Sequence, residues 1–129
     1  MNQSDVNRAG ADAPETAPIP AEIRLDRSHT QLTVIYDDGR KFVMSSEYLR
    51  VHSPSAEVRG HGGSGTLQLD KQDVTITRIM PVGSYAVRLV FSDGHNTGLY
   101  TWKVLHELGS QQATLWQQYL DQVAALKRR

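Results

Sequence analysis

A chain of 129 residues with 39% hydrophobic content has material for one core. Its 14 basic and 14 acidic residues balance to zero, without the broad positive field that nucleic-acid binding uses. Cysteine is absent, which removes disulfides, thiolate nucleophiles and every metal site built on sulfur. No apolar run is long enough to cross a membrane, and the N-terminus lacks the basic and apolar regions of a signal peptide. The expected compartment is therefore the cytoplasm, with neither membrane nor nucleic acid as a partner.

Residues 1–21 hold Pro14, Pro18 and Pro20 among small and polar residues, too few large apolar groups to offset the entropy of ordering, and are expected to form a disordered leader. Arg8 stands against Asp5, Asp12, Glu15 and Glu22, so residues 1–22 carry −3 and the remainder +3, which reads as a solvated acidic tail. The domain proper is expected over 22–108. Alternation begins at Ile23, and QLTVIY and KFVM flank the turn Asp37-Asp38-Gly39-Arg40. Gly tolerates the positive φ of a tight turn, so residues 31–36 and 40–44 are expected to pair antiparallel. Ser45 then offers a hydroxyl N-cap to a helix that Pro54 keeps short.

The stretch HSPSAEVRGHGGSG (52–65) has no periodicity and reads as a loop long enough to carry function. Strand patterns resume over 73–82 and 85–91 around Gly83-Ser84. A second Asp-Gly turn at Ser92-Asp93-Gly94-His95 leads to a short strand at Gly98-Leu99-Tyr100. Thr101 caps the helix WKVLHEL, with Gly109 expected as a left-handed C-cap. Over 109–129, Leu115, Trp116, Tyr119, Leu120, Val123 and Leu126 recur at spacings of three and four, giving an amphipathic helix packed on the domain. Leu120→Asp is expected to lower the unfolding midpoint, whereas an outward-facing Trp116 and Tyr119 would make this helix a docking surface. The segments VIYDDGRKFVMSSEYL and LVFSDGHNTGLYTWKVL share the order strand, Asp-Gly, strand, hydroxyl cap, helix. The fold class is thus α+β: small antiparallel hairpins with short helices in two β-β-α-like units, plus a C-terminal amphipathic helix.

Chemistry-bearing residues concentrate in the 52–65 loop. His52, Glu57 and His61 are the donor types that zinc or iron(II) takes, although the spacing matches no local ligand motif. Arg59, His61 and the glycines between them offer cationic groups and backbone N–H donors to an anion, without the Gly-Lys-Ser/Thr of a phosphate loop. There is no G-x-S-x-G elbow, and Asp38 and Asp93 read as turn formers. No catalytic constellation follows, and the chain is not expected to be an enzyme.

The segments YLRVHSPSAEVRG (48–60) and FSDGH…YTW (91–102), in this strand order, resemble the γ-butyrobetaine hydroxylase-like N-terminal domain family, formerly a domain of unknown function, over about residues 22–108. In the hydroxylases that domain precedes a dioxygenase domain, and a similar domain ends chloroplast P-loop scaffold proteins that handle iron–sulfur clusters. The resemblance implies a zinc site made by a Cys-Pro-Cys-x-x-Cys stretch and a histidine after the second Asp-Gly. Those positions fall here on Ser53, Ser55, Val58 and His95, with Pro54 kept. Three of the four ligands are replaced, so no metal and no cofactor are expected. The resulting expectation is a non-catalytic accessory or protein-interaction domain with a protein partner. The alternative is a zinc- or iron-binding protein assisting iron or iron–sulfur handling through the His/Glu loop.

Overall fold

Alternating segments fold into two successive three-stranded antiparallel meanders, each ending in a helix. The computed structural model describes residues 17–55 and 67–128. The first half runs β1 (Glu22–Leu25), β2 (Gln31–Ile35), β3 (Lys41–Ser45) and α1 (Ser46–Val51). The second runs β4 (Ile76–Val82), β5 (Ala86–Phe91), β6 (Leu99–Thr101) and α2 (Trp102–Ser110), and α3 (Gln112–Lys127) follows. The class is α+β as expected, with each β-β-α unit extended by a leading strand.

The two halves repeat each other atom for atom at their turns. Gly39 N–H donates to Tyr36 O, and Gly94 N–H to Phe91 O. Tyr36 N–H reaches Arg40 O, as Phe91 N–H reaches His95 O. Asp38 Oδ1 accepts from Arg40 N–H, and Asp93 Oδ1 from His95 N–H. Both glycines take φ +91°, which a side chain at Cβ disfavours. The caps match as well, since Ser45 Oγ accepts from Tyr48 N–H and Thr101 Oγ1 from Val104 N–H.

One shared core joins the halves. Leu32, Val34 and Met44 of the first sheet and Ile76, Leu89 and Phe91 of the second are buried together with Tyr48, Leu49, Tyr100 and Leu105. His29 sits at φ +63° in the β1–β2 turn and stitches the sheets: its carbonyl accepts from Ile76 N–H, and its Nδ1 donates to Ile76 O at 2.9 Å. The segment after each helix starts lodges in the opposite half. A Cβ on Gly98, just before β6, would collide with Ser53 Oγ, and a Cβ on Gly109 in α2 would collide with the Phe42 ring of β3.

Three expectations are corrected here. Gly109 lies inside α2 rather than in a left-handed cap, because the helix runs on to Ser110 and is capped at Gln111, so close packing on Phe42 is what requires glycine there. The last helix is anchored by Trp116 and Tyr119, which pack on Tyr48 and His52, and by Tyr119 Oη donating to Gln68 O. Tyr119 is buried and Trp116 half-buried, so the two do not stand outward as a docking surface would have them. Leu120 and Leu126 are 41% and 40% exposed, and the expected apolar stripe is narrower than the spacing suggested. Of the expected leader, residues 1–16 lie outside the described residues, and Ala21 N–H already donates to Ile35 O beside β1.

Alanine at a helical glycine ordinarily stabilises by up to about 1 kcal/mol. Gly109→Ala is expected to do the reverse, lowering stability by about 1–3 kcal/mol through overpacking. Phe42→Leu should recover part of the loss in urea titrations. Leu120→Asp, by contrast, is expected to shift stability by no more than about 0.5 kcal/mol, since exposed positions tolerate charge. A large fall in its unfolding midpoint would mean that α3 packs through a different face.

Candidate functional site

The end of α1 and the second Asp-Gly turn meet to form a polar cluster. Ser53 follows the His52 C-cap and is 1% exposed, Ser55 is 7% exposed and His95 is 8% exposed. His95 Nε2 lies 2.9 Å from Ser53 Oγ and 3.4 Å from Ser55 Oγ. The absence of a side chain on Gly98 lets Ser53 come this close to the start of β6. Val58, the remaining position implied by the resemblance, lies outside the described residues, as do Glu57, Arg59 and His61.

Beside this cluster Asp93 holds two cations. Arg50 Nε donates to Asp93 Oδ2 at 2.9 Å and Lys71 Nζ to the same oxygen at 2.8 Å, while Oδ1 accepts the His95 amide. Burial works against charge on this carboxyl, but donation from Lys71, the His95 amide and Arg50 outweighs it and holds the group down at about 2. Asp93 is thus more than the turn former the sequence suggested. Arg50 and Lys71 escaped the sequence reading because an arginine on a short helix and a lysine in a loop look like solvated charge. Only the pairing of α1 with the second turn reveals their role.

His52 is engaged elsewhere. Its Nδ1 donates to Tyr48 O at 2.9 Å, its ring packs on Tyr48 and Tyr119, and burial lowers its pKa despite that hydrogen bond. Among the described residues no three His, Cys, Asp or Glu side chains converge in a way that would hold a metal ion. Ser53, Ser55 and His95 do not fit zinc. An alcohol stays protonated at neutral pH where a thiol yields its proton to the metal, and the cations of Arg50 and Lys71 on the neighbouring Asp93 disfavour a divalent ion. Among the described residues no helix is long and apolar enough to cross a membrane.

The family model described as Gamma-butyrobetaine hydroxylase-like, N-terminal, matches residues 23–106. Two solved structures, both determined by NMR in solution, are similar over most of their length. One is 50% identical, with a TM-score of 0.75 over 87% of this chain and 84% of that one. The other is 41% identical, with a TM-score of 0.75 over 86% and 88%. A crystal structure of a protein of unknown function in the DUF971 family, from Acidithiobacillus ferrooxidans, is 38% identical with a TM-score of 0.58, covering 70% of this chain and 92% of that one. No functionally curated protein matches the chain.

The depressed Asp93 carboxyl sets an acid limb. In an unfolded chain an aspartate titrates near 3.9, so the stability that Asp93 contributes is whole above about pH 4 and is lost as pH falls toward about 2. Asp93→Asn is expected to lower stability at neutral pH and to flatten the pH dependence across that window in urea titrations. An acid limb of the same steepness in the variant would assign it to other carboxylates.

Proposed function

The chain belongs to the family of γ-butyrobetaine hydroxylase-like N-terminal domains, and from that membership we propose that it is a non-catalytic accessory domain that works by docking on another protein, in the cytoplasm and without a resident metal. The observation that carries the reading is the buried 2.9 Å contact between His95 Nε2 and Ser53 Oγ. At the positions that the resemblance assigns to a zinc site, the imidazole is satisfied by a hydroxyl, so the local fold is held by hydrogen bonds where a metal would otherwise hold it. A groove of about 490 Å³, lined by Ile19, Ser84, Tyr85, Thr101, Trp102 and Lys103, supports a docking role, because Ile19 and Tyr85 stand 67% and 52% exposed beside it.

Metal analysis after exposure to zinc and desalting tests the reading. The wild-type chain is expected to retain less than about 0.1 zinc per chain. The triple variant Ser53→Cys, Ser55→Cys, Val58→Cys is expected to retain about one, with a higher melting temperature, and to lose it on His95→Ala. One tightly held metal per wild-type chain would overturn the metal-free docking reading.

A further inference from the structure

Arg50 brings more positive charge into the domain than its surroundings neutralise. Its side chain is 8% exposed, and the single carboxylate it pairs with is shared, through the same oxygen, with Lys71. Among the described residues two cations therefore face one anion. Among the described residues Arg50 Nη1 is buried with no hydrogen-bond partner, although a buried donor is normally matched and a buried surplus charge is costly to maintain. Lys71 and Asp93 are each 21% exposed, so the cluster opens to solvent on their side, with the guanidinium beneath.

We propose that Arg50 and Lys71 form a binding site for an oxyanion, the chemistry shared by a carboxylate and a phosphate group, with the Ser53 and Ser55 hydroxyls and His95 at its border. An oxyanion brings one further negative charge to the Arg50, Lys71 and Asp93 set, and an acceptor to Nη1. The planar guanidinium donates in the fork geometry that such groups match. Asp93 engages Arg50 through Nε, so Nη1 is the donor left for the ligand once the Lys71 side of the cluster admits it. The proposal rests on the reading of this cluster as metal-free, and it gives the docking domain a chemical preference in what it docks on.

The test titrates the full-length chain, first shown by metal analysis to be metal-free, with inorganic phosphate and separately with acetate at constant ionic strength. Amide and arginine Nε–H resonances are followed throughout. Saturable shifts confined to Arg50, Lys71 and the 93–95 turn are expected, with a dissociation constant in the millimolar range or below. The tighter of the two ions distinguishes phosphate from carboxylate as the ligand group. Lys71→Ala is expected to weaken binding about tenfold, a change of about 1.4 kcal/mol. Arg50→Lys, which keeps charge but loses the fork, should weaken it further, and Arg88→Ala on the outer face of β5 should leave it unchanged. No saturation by about 10 mM of either ion, or equal affinity in Lys71→Ala, overturns the proposal. Should Arg50→Lys not fold, the Lys71→Ala comparison decides alone. A metal-loaded wild type would instead defeat the docking reading beneath it, so the two failures are told apart before the titration begins.

Discussion

The structure depends on a reciprocal exchange between its two halves, in which each half completes the other's helix. A helix of six residues such as α1 leaves most of its C-terminal carbonyls without intrahelical partners, and inside a core each needs a donor. Tyr100, from β6, donates its hydroxyl to Leu49 O of α1, and Tyr48, from α1, donates to Leu108 O of α2, both at 2.6 Å. Burial pushes the Tyr48 hydroxyl up to about 12 and raises that of Tyr100 further, so both stay protonated donors at any physiological pH. Two hydrogen bonds that neither half makes alone thereby fix where the helices end. The end of α1 in turn fixes the place of Ser53.

That exchange also explains why the polar cluster lies where it does. Ser53 is pressed against Gly98 by the same seating that presses Gly109 against Phe42. Once there, it meets the residue that follows the second Asp-Gly turn. His95 is held from behind, its carbonyl accepting Phe91 N–H and its amide donating to Asp93, so its ring has little freedom to reorient. The cluster is built on the ends of rigid elements whose positions the core determines, and this gives it a defined geometry without a metal.

Local chemistry was legible in the sequence, and contacts between halves were not. Asp-Gly at 38–39 and 93–94, Ser45 and Thr101 as caps, and the strand alternation all act within a few residues, and the structure follows them closely. The leading strand of each unit was legible as well, Glu22–Leu25 from the alternation that begins at Ile23 and β4 from the pattern over 73–82, although β4 carries an irregular register between Ile76 and Arg78. Gly109 was misread because a glycine near a helix end has a common local explanation, whereas its actual cause, the Phe42 ring, lies 67 residues away in sequence. The α3 stripe was read too wide for a related reason. Periodicity says which side chains share a face, but the domain covers the Leu115, Trp116 and Tyr119 part of it and leaves Leu120 and Leu126 exposed. Arg50 carried no signal at all, since nothing in a single sequence distinguishes a buried arginine from a solvated one.

The repeat shows why only one of its two turns became a polar cluster. In the first turn the residue after Asp-Gly is Arg40, and Asp38 Oδ2 pairs with that same arginine at 2.8 Å, with both side chains about half exposed. Such a pair is screened by water, satisfies itself locally and contributes little. In the second turn the same position is His95, which cannot reach back to its own aspartate in this way and turns its ring inward to the serines. Asp93 is thereby released from a local partner and takes Arg50 from α1 and Lys71 from the segment before β4. The place opposite the first turn is filled by His106 of α2, whose ring packs edge-on to Tyr36 and Phe42. An aromatic packing site and a charged polar site thus occupy corresponding places in the two halves, and the residue after each Asp-Gly, arginine in one and histidine in the other, separates them.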